Sequence, residues 1–364
     1  MKWRFHHSQA DLAGRSLDRM AWHRFRSNPL AVVSLAVIGL FALVAILGYL
    51  ITPDPTPYSN QQYLELATRK PGSKATFLCI DATEGHTPWL TRMVKGAPLR
   101  YTAIPVDNYT WRGDSLYAEP VAGEPFVIAA SRVACVKQRT FLLGTDAYGR
   151  DVLSMIMIGS RVSLSVGFIA ILIALLVGIT LGALAAYYGG WVDNLIMWLI
   201  NVVWAIPTVL LVIAITFALG KGFWQIFVAV GLTMWVDIAR VVRGEVMSLK
   251  EKEYIEATRA LGFSTARTIF RHILPNILGA VVVVAASNFA SAILLEAGLS
   301  FLGIGVQPPM PSWGMMVKDN YGYLLLDNAY LALLPGLAIM LIVLAFMLLA
   351  SGLRDALDIR RQKV

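Results

Sequence analysis

Few residues in this chain stand where bond-making chemistry would need them. The five histidines, His6, His7, His23, His86 and His272, are scattered and make no metal-ligand cluster. No G-x-x-x-x-G-K-S/T phosphate loop is present, and Gly220-Lys221 lacks both the upstream glycine and the following hydroxyl, so this chain alone is not expected to hydrolyse ATP. Neither a G-x-S-x-G elbow nor an H-E-x-x-H zinc pair occurs, so a catalytic site, a metal site and a bound cofactor are not expected on this chain. Two acids and two glycines in 144–151 superficially suggest a calcium loop, but the alternating acids ending in Glu are missing, and the segment reads as a turn. Three chemistries remain. Cys79 and Cys135 can oxidise to a disulfide in an oxidising compartment, or stay as two buried thiols. Glu296 stands in an apolar stretch, where a carboxylate is either a functional group or an acid bonded to a neighbouring helix. Asp237 and Arg240, three apart on one helical face, are placed for an interfacial ion pair.

The elements that must position these residues are membrane spans. Of 364 residues 57% are apolar and only 15% charged, against about 25% charged in soluble domains, which excludes a disordered chain and disfavours an ordinary soluble enzyme. Residues 30–51 run 22 positions without a charge, 162–192 run 31, and 194–220 run 27 with Pro207 inside. Each is long enough to cross a hydrocarbon core of about 30 Å. Further spans are expected at 222–239, 276–295 and 331–353. The first run ends in Thr52-Pro53 rather than at a small-residue cleavage site, so it reads as a retained helix. Trp191, Trp198 and Trp204 read as interface anchors or packing residues.

Six spans put both termini on one side. Segments 1–29, 240–275 and 354–364 then carry 17 of the 31 basic residues, while the short connections opposite carry only Lys221 and Lys318. The positive-inside rule assigns the basic side, and so both termini, to the cytoplasm. The net charge of +8 is therefore a topology signal and not a nucleic-acid footprint; lipid is an expected partner, nucleic acid is not. The expected organisation is a cytoplasmic segment 1–29, a first helix 30–52, an extracytoplasmic insert 53–161, a core 162–353 holding five helices and the cytoplasmic loop 240–275, and a tail 354–364. The insert holds nine of the 16 prolines and both cysteines, with strand-like composition at 101–106 and 125–136, so a small, partly β domain is expected there.

The loop 240–275 reads RVVRGEVMSLKEKEYIEATRALGFSTARTIFRHILP. A helix over about 247–261 should end at Gly262, Ser264 should cap a second helix, and Pro275 should stop it or open the next span. Ile269, Phe270, Ile273 and Leu274 give the second helix an apolar face. The product is a helix–turn–helix knob on the cytoplasmic side.

Within it, Glu256-Ala257-Thr258, three residues, Gly262, nine residues and His272-Ile273-Leu274-Pro275 resembles the EAA loop of ABC-importer permeases, with Thr258 in place of the second alanine and His272 in place of an isoleucine. FLLGTDAYGRDVLS at 141–154, EAGLSFLG at 296–303 and VQPPMPSWG at 306–314 resemble the C-type permease subunit of the dipeptide, oligopeptide and nickel importers. The resemblance covers 141–364 and, more loosely, the first span; residues 53–140 exceed the short external loop of that family. It implies an all-α polytopic permease of the type I importer fold with six transmembrane helices, carrying here a partly β periplasmic insert. The implied protein sits in a bacterial inner membrane and moves peptides by alternating access. Its implied partners are a second permease subunit, two cytoplasmic ATPase subunits that use ATP and Mg, and an extracytoplasmic substrate-binding protein. It also implies that Glu256, Ala257 and Gly262, with Leu261 and Phe263 beside them, contact the ATPase. Two other classes compete: a proton-coupled transporter, which favours several ionisable residues within the spans, and a membrane-anchored interaction protein whose insert does the work.

Overall fold

Residue 28 starts the first long helix. Asn28 stays extended and its side-chain oxygen accepts the N–H groups of Leu30 and Ala31, while Pro29 supplies a preset φ and no amide to satisfy. The uncharged run that follows forms α2 (Pro29–Ile51), preceded by α1 (Leu17–Ser27), in a computed structural model that describes residues 17–83, 85–220 and 222–357. Lys221 and most of the two terminal basic segments lie outside the described residues. α2 leaves Leu30, Val33, Leu40, Leu43 and Ile46 uncovered. An apolar helix with so little protein around it is dressed for lipid.

Between Thr52 and Asp151 the chain builds a five-stranded antiparallel sheet in the order β4-β3-β2-β1-β5. Its strands are β1 (Ser73–Ile80), β2 (Thr102–Arg112), β3 (Ser115–Pro120), β4 (Phe126–Ala129) and β5 (Val133–Phe141), with a short helix α3 (Trp89–Lys95) after β1. Alternation places Leu78, Val106, Leu116, Ala118 and Ile128 in one apolar cluster and Tyr63, Leu66, Phe77 and Phe141 in another. Cys79 faces Cys135 across β1 and β5 and is bonded to it, with the two Cα atoms 5.0 Å apart.

The helical part continues with α4 (Val152–Tyr188), α5 (Gly190–Ala205), α6 (Thr208–Leu219) and α7 (Phe223–Lys250). After them come α8 (Glu253–Ala260), α9 (Thr265–Arg267), α10 (Leu274–Phe301), α11 (Trp313–Asn320) and α12 (Tyr330–Leu357). α4 and α7 form the centre of the bundle. Glycines bring their backbones together: an added Cβ at Gly182 would stand 2.5 Å from the Ala239 carbonyl, and one at Gly231 2.9 Å from that of Ala170. Where lipid is as apolar as leucine, such close approach is what holds helices together.

Several boundaries differ from the sequence reading. α4 begins at Val152 and not at 162, so the insert ends at Asp151. Asp151 caps the helix through Ser154 N, and the charge that interrupts the apolar run, Arg161, is spent on the carbonyls of Met93 and Val94 at 3.2 and 3.0 Å. The expected single helix over 194–220 is the pair α5 and α6, bent by 96°. Pro207 has no N–H, and Ile206 before it is forced into an extended conformation (φ −92°, ψ 129°), so the helix cannot pass through. α7 runs past 239 to Lys250, α10 extends to Phe301, and α12 reaches Leu357, beyond the expected start of the tail. Among the described residues five helices are long and apolar enough to cross a membrane, and the bent pair makes a sixth if it counts as one span.

Candidate coupling site and intramembrane cavity

The loop between α7 and α10 is shaped by its caps. α7 ends at Lys250, so the first helix of the knob is α8 alone, shorter than the expected 247–261. At its far end Gly262 N–H donates to Arg259 O (2.9 Å) and Phe263 N–H to Thr258 O (3.0 Å), with Gly262 at φ +72°. That is the paired hydrogen-bond pattern of a left-handed helix stop, and it turns the chain sharply. Ser264 then accepts from Arg267 N (3.4 Å), a six-residue π segment over Thr268–Ile273 follows, and Pro275 opens α10.

Two buried threonines lock the halves of the knob together. Thr258 Oγ1 donates to Ile255 O (2.7 Å) and lies 3.4 Å from Thr268 Oγ1, between the buried Ile255, Ile269 and Ile273. The position where the family motif has alanine thus carries an interior contact. Glu256, Ala257, Leu261 and Gly262 are all exposed on the outer surface of the knob. Phe263 is half-covered: its ring stacks on His272 at 5.7 Å, and the Arg267 guanidinium sits 4.2 Å above it. Phe270, grouped by the sequence pattern with Ile269 and Ile273 on one apolar face, is 71% exposed, and Leu261 is 72% exposed. The π segment adds a residue to the turn and rotates Phe270 away from the face that Ile269 and Ile273 bury.

The end of α7, from which the knob hangs, is tied to α4 and α5 by charges that the hydropathy pattern did not single out. Arg243 on α7 makes a two-pronged contact with Asp193 on α5, both at 2.6 Å. Lys250 Nζ donates to the last carbonyls of α4, Tyr187 O at 2.7 Å and Ala186 O at 3.3 Å, and Arg259 of α8 lies 5.2 Å over the Tyr187 ring. A cation at a helix C-terminus satisfies orphan carbonyls. Lys250 was legible only once α4 was known to end opposite it.

Within the bundle, Glu296 is fully buried and bridges helices. Its carboxylate accepts from Ser163 Oγ of α4 (3.0 Å) and Ser300 Oγ (2.7 Å), which is the arrangement of an acid bonded to a neighbouring helix. The expected ion pair between Asp237 and Arg240 is absent. Arg240 instead donates to Asn201 (3.2 Å) and lies 3.8 Å over Trp204. Asp237 lines a cavity of about 500 Å³ between α5, α6, α7 and α10, together with Thr208, Thr233, Asn288 and Ser291. Trp191 and Trp198 are exposed, at 75% and 62%. In the 144–151 segment Asp146 accepts the Tyr148 and Arg150 amides, both at 2.9 Å, and pairs with the Arg150 side chain, so its oxygens serve a turn. No group of three or more His, Cys, Asp or Glu that could hold a metal occurs among the described residues.

Residues 178–363 match the family described as binding-protein-dependent transport system inner membrane component, and residues 16–71 match the N-terminal TM domain of oligopeptide transport permease C. The chain belongs to the binding-protein-dependent transport permease family. The permease is 44% identical over 216 residues to the glutathione transport system permease protein GsiD of Pectobacterium atrosepticum, covering 59% of this chain and 71% of that one. It is 45% identical over 215 residues to the dipeptide transport system permease protein DppC of Alkalihalophilus pseudofirmus (59% and 70%). To the oligopeptide transport system permease protein OppC of Bacillus subtilis it is 37% identical over 220 residues (60% and 72%). Among solved structures, an inward-facing form of the MetNI methionine ABC transporter aligns with 19% identity and a TM-score of 0.45, over 56% of this chain and 95% of that one. The permease is a mostly helical, multi-pass transport subunit of a bacterial inner membrane, and its family places it in an ABC importer complex with other subunits. The five-stranded sheet lies between the two matched regions.

Proposed function

We propose that the permease is one of two membrane subunits of an ATP-driven importer of di- or oligopeptides. In this reading six spans, the bent α5 and α6 pair counting as one, place both termini and the knob in the cytoplasm and the sheet outside it. Two ATPase subunits, which hold the ATP and Mg, seat on the knobs of the two permeases, and an external binding protein delivers the cargo. The observation that carries the proposal is the knob itself: a bent, internally locked unit whose Glu256, Ala257, Leu261 and Phe270 are exposed and whose base is bonded to α4 and α5. Large apolar side chains left exposed on a rigid element mark a protein contact. The relatives named for dipeptide, oligopeptide and glutathione transport support a peptide cargo.

Mechanically, Glu256 offers a charge to the ATPase, Ala257 permits close approach, and Gly262 fixes the bend. When ATP closes the ATPases, the knobs move as solid bodies and drag α7 and α10, between which the 500 Å³ cavity lies. ATP shifts the permease only through its different affinity for the inward- and outward-open states. The test is uptake of a labelled dipeptide by proteoliposomes holding both permeases, both ATPases and the binding protein. Uptake that requires ATP and survives an uncoupler supports the proposal. Uptake abolished by the uncoupler with ATP present supports a proton-coupled transporter instead.

A further inference from the structure

A second cavity, of about 360 Å³, lies where α2 ends against the sheet, outside both matched regions for most of its lining. Its size falls within the range of small-molecule sites, about 300–1,000 Å³. Tyr63, Phe77 and Tyr101 give it aromatic walls, and Arg92, Lys137 and Arg139 give it three positive charges. The acid among its lining residues, Asp54, is already committed: its carboxylate accepts from Thr56 N (3.0 Å), Thr56 Oγ1 (2.7 Å) and Gln61 N (3.2 Å).

Two of the cations are uncommitted, and the third, Arg139, is held only by a long ion pair with Asp151 and by the Phe141 ring 5.2 Å beneath it. Arg92 and Lys137 make no side-chain hydrogen bond or ion pair among the described residues. The Arg139 side chain is only 18% exposed, and its Nε and Nη2 have no hydrogen-bond partner; the nearest acid, Asp151, is 3.9 Å away. The Thr52 hydroxyl, on a residue 8% exposed, is also unpartnered. Leaving a buried donor unmet costs about 1–3 kcal/mol, and more when it is charged. Three cationic side chains lining one cavity, with unmet guanidinium and hydroxyl donors on two of its lining residues, describe a receptor for an oxyanion.

We propose that this cavity binds the carboxylate or phosphate group of a small organic anion. The anion is held by Arg139, Lys137 and Arg92, with Thr52 as a further partner, and its apolar part lies on Tyr63, Phe77 and Tyr101. The site belongs to the insert and does not depend on the importer reading. Two sources share this chemistry: a soluble organic acid, and the headgroup of an anionic lipid beside the exit of α2.

The experiment uses the full chain in nanodiscs. In phosphatidylcholine discs, benzoate and inorganic phosphate are titrated calorimetrically against the wild type, Arg92→Gln on the exposed helix α3, and the double variant Lys137→Gln/Arg139→Gln. In discs containing phosphatidylglycerol, the lipid retained after detergent exchange is counted for the same proteins. Saturable binding of either probe, weakened tenfold or more by the double variant and less by Arg92→Gln, supports the site with a soluble source. Phosphatidylglycerol retained by the wild type and lost from the double variant supports it with a lipid source. Neither probe binding and no retained lipid, or binding equal in all three proteins, overturns it. An intact bond between Cys79 and Cys135 in each variant, checked by mass spectrometry, shows that the sheet is folded.

Discussion

If the knob transmits force, its bend must be stiff, and Gly262 is where stiffness can be graded. Its φ is +72°, yet a Cβ added there would meet nothing within 4 Å. Crowding therefore contributes nothing, and the cost of substitution is set by backbone conformation alone. Alanine in the left-handed region costs about 1–2 kcal/mol, and asparagine less, because it tolerates that region. Proline cannot reach it: φ is fixed near −65° and the N–H that donates to Arg259 O at 2.9 Å is lost, a cost of about 3 kcal/mol or more. The expected order of coupling is wild type, Gly262→Asn, Gly262→Ala, then Gly262→Pro, with the proline variant inserted in the membrane but inactive. The assay is cargo uptake per ATP hydrolysed in proteoliposomes, with membrane insertion measured alongside. Equal loss in the alanine and proline variants would refute the reasoning, since it would make the missing side chain and not the backbone angle decisive. Normal coupling in the proline variant would refute it outright.

Other outcomes follow from the same geometry. Glu256→Lys should leave insertion intact and separate ATP hydrolysis from uptake, because the residue is exposed and its reversal disturbs only a contact outside this chain; unchanged uptake and unchanged stimulated hydrolysis would count against a coupling role. Rapid alkylation under non-reducing conditions followed by mass spectrometry should find no free thiol at Cys79 or Cys135, and two free thiols would remove the cross-strand bond. Replacing both with serine should lower the stability of the sheet by up to about 4 kcal/mol on a chain-entropy argument for a 56-residue separation, read as a fall in its melting temperature. Tyr63, in the insert, has its phenol pushed up to about 12 by burial. The neutral form is the one the fold favours, so this contribution is complete below about pH 10 and fades as pH rises through 12. A difference titration of absorbance between wild type and Tyr63→Phe should place the missing transition near 12, and a transition near 10 would contradict the burial.

The sequence made some elements plain and hid others for definite reasons. The first long helix was legible because its 22 uncharged residues stand between Asn28-Pro29 and Thr52-Pro53, so pattern and punctuation agree. The bend at Gly262 was legible because glycine after a helical run, followed by serine, is local information. The start of α4 was not, since a hydropathy window registers Arg161 as a break and cannot know that two distant carbonyls accept its charge. The same blindness to partners suggested an ion pair for Asp237 and Arg240, whereas Arg240 is held by Asn201 and Trp204 of α5. Phe270 was grouped on one apolar face with Ile269 and Ile273 by a period of 3.6 that the π segment does not keep. The outer residues of the candidate coupling site, Glu256, Ala257, Leu261 and Gly262, came from the resemblance to the EAA loop, whereas the inner lock of Thr258 and Thr268 needed the fold.

The central claim, that this knob is the seat of a separate ATPase, is tested most directly by photo-crosslinking from Leu261, a side chain 72% exposed at its tip. A benzophenone amino acid placed there, in cells expressing the whole system, should form an adduct with the ATPase subunit, while the same probe at Val127, 55% exposed on the sheet, should not. No ATPase adduct from Leu261 in a complex that purifies intact, or equal adducts from both positions, would contradict it.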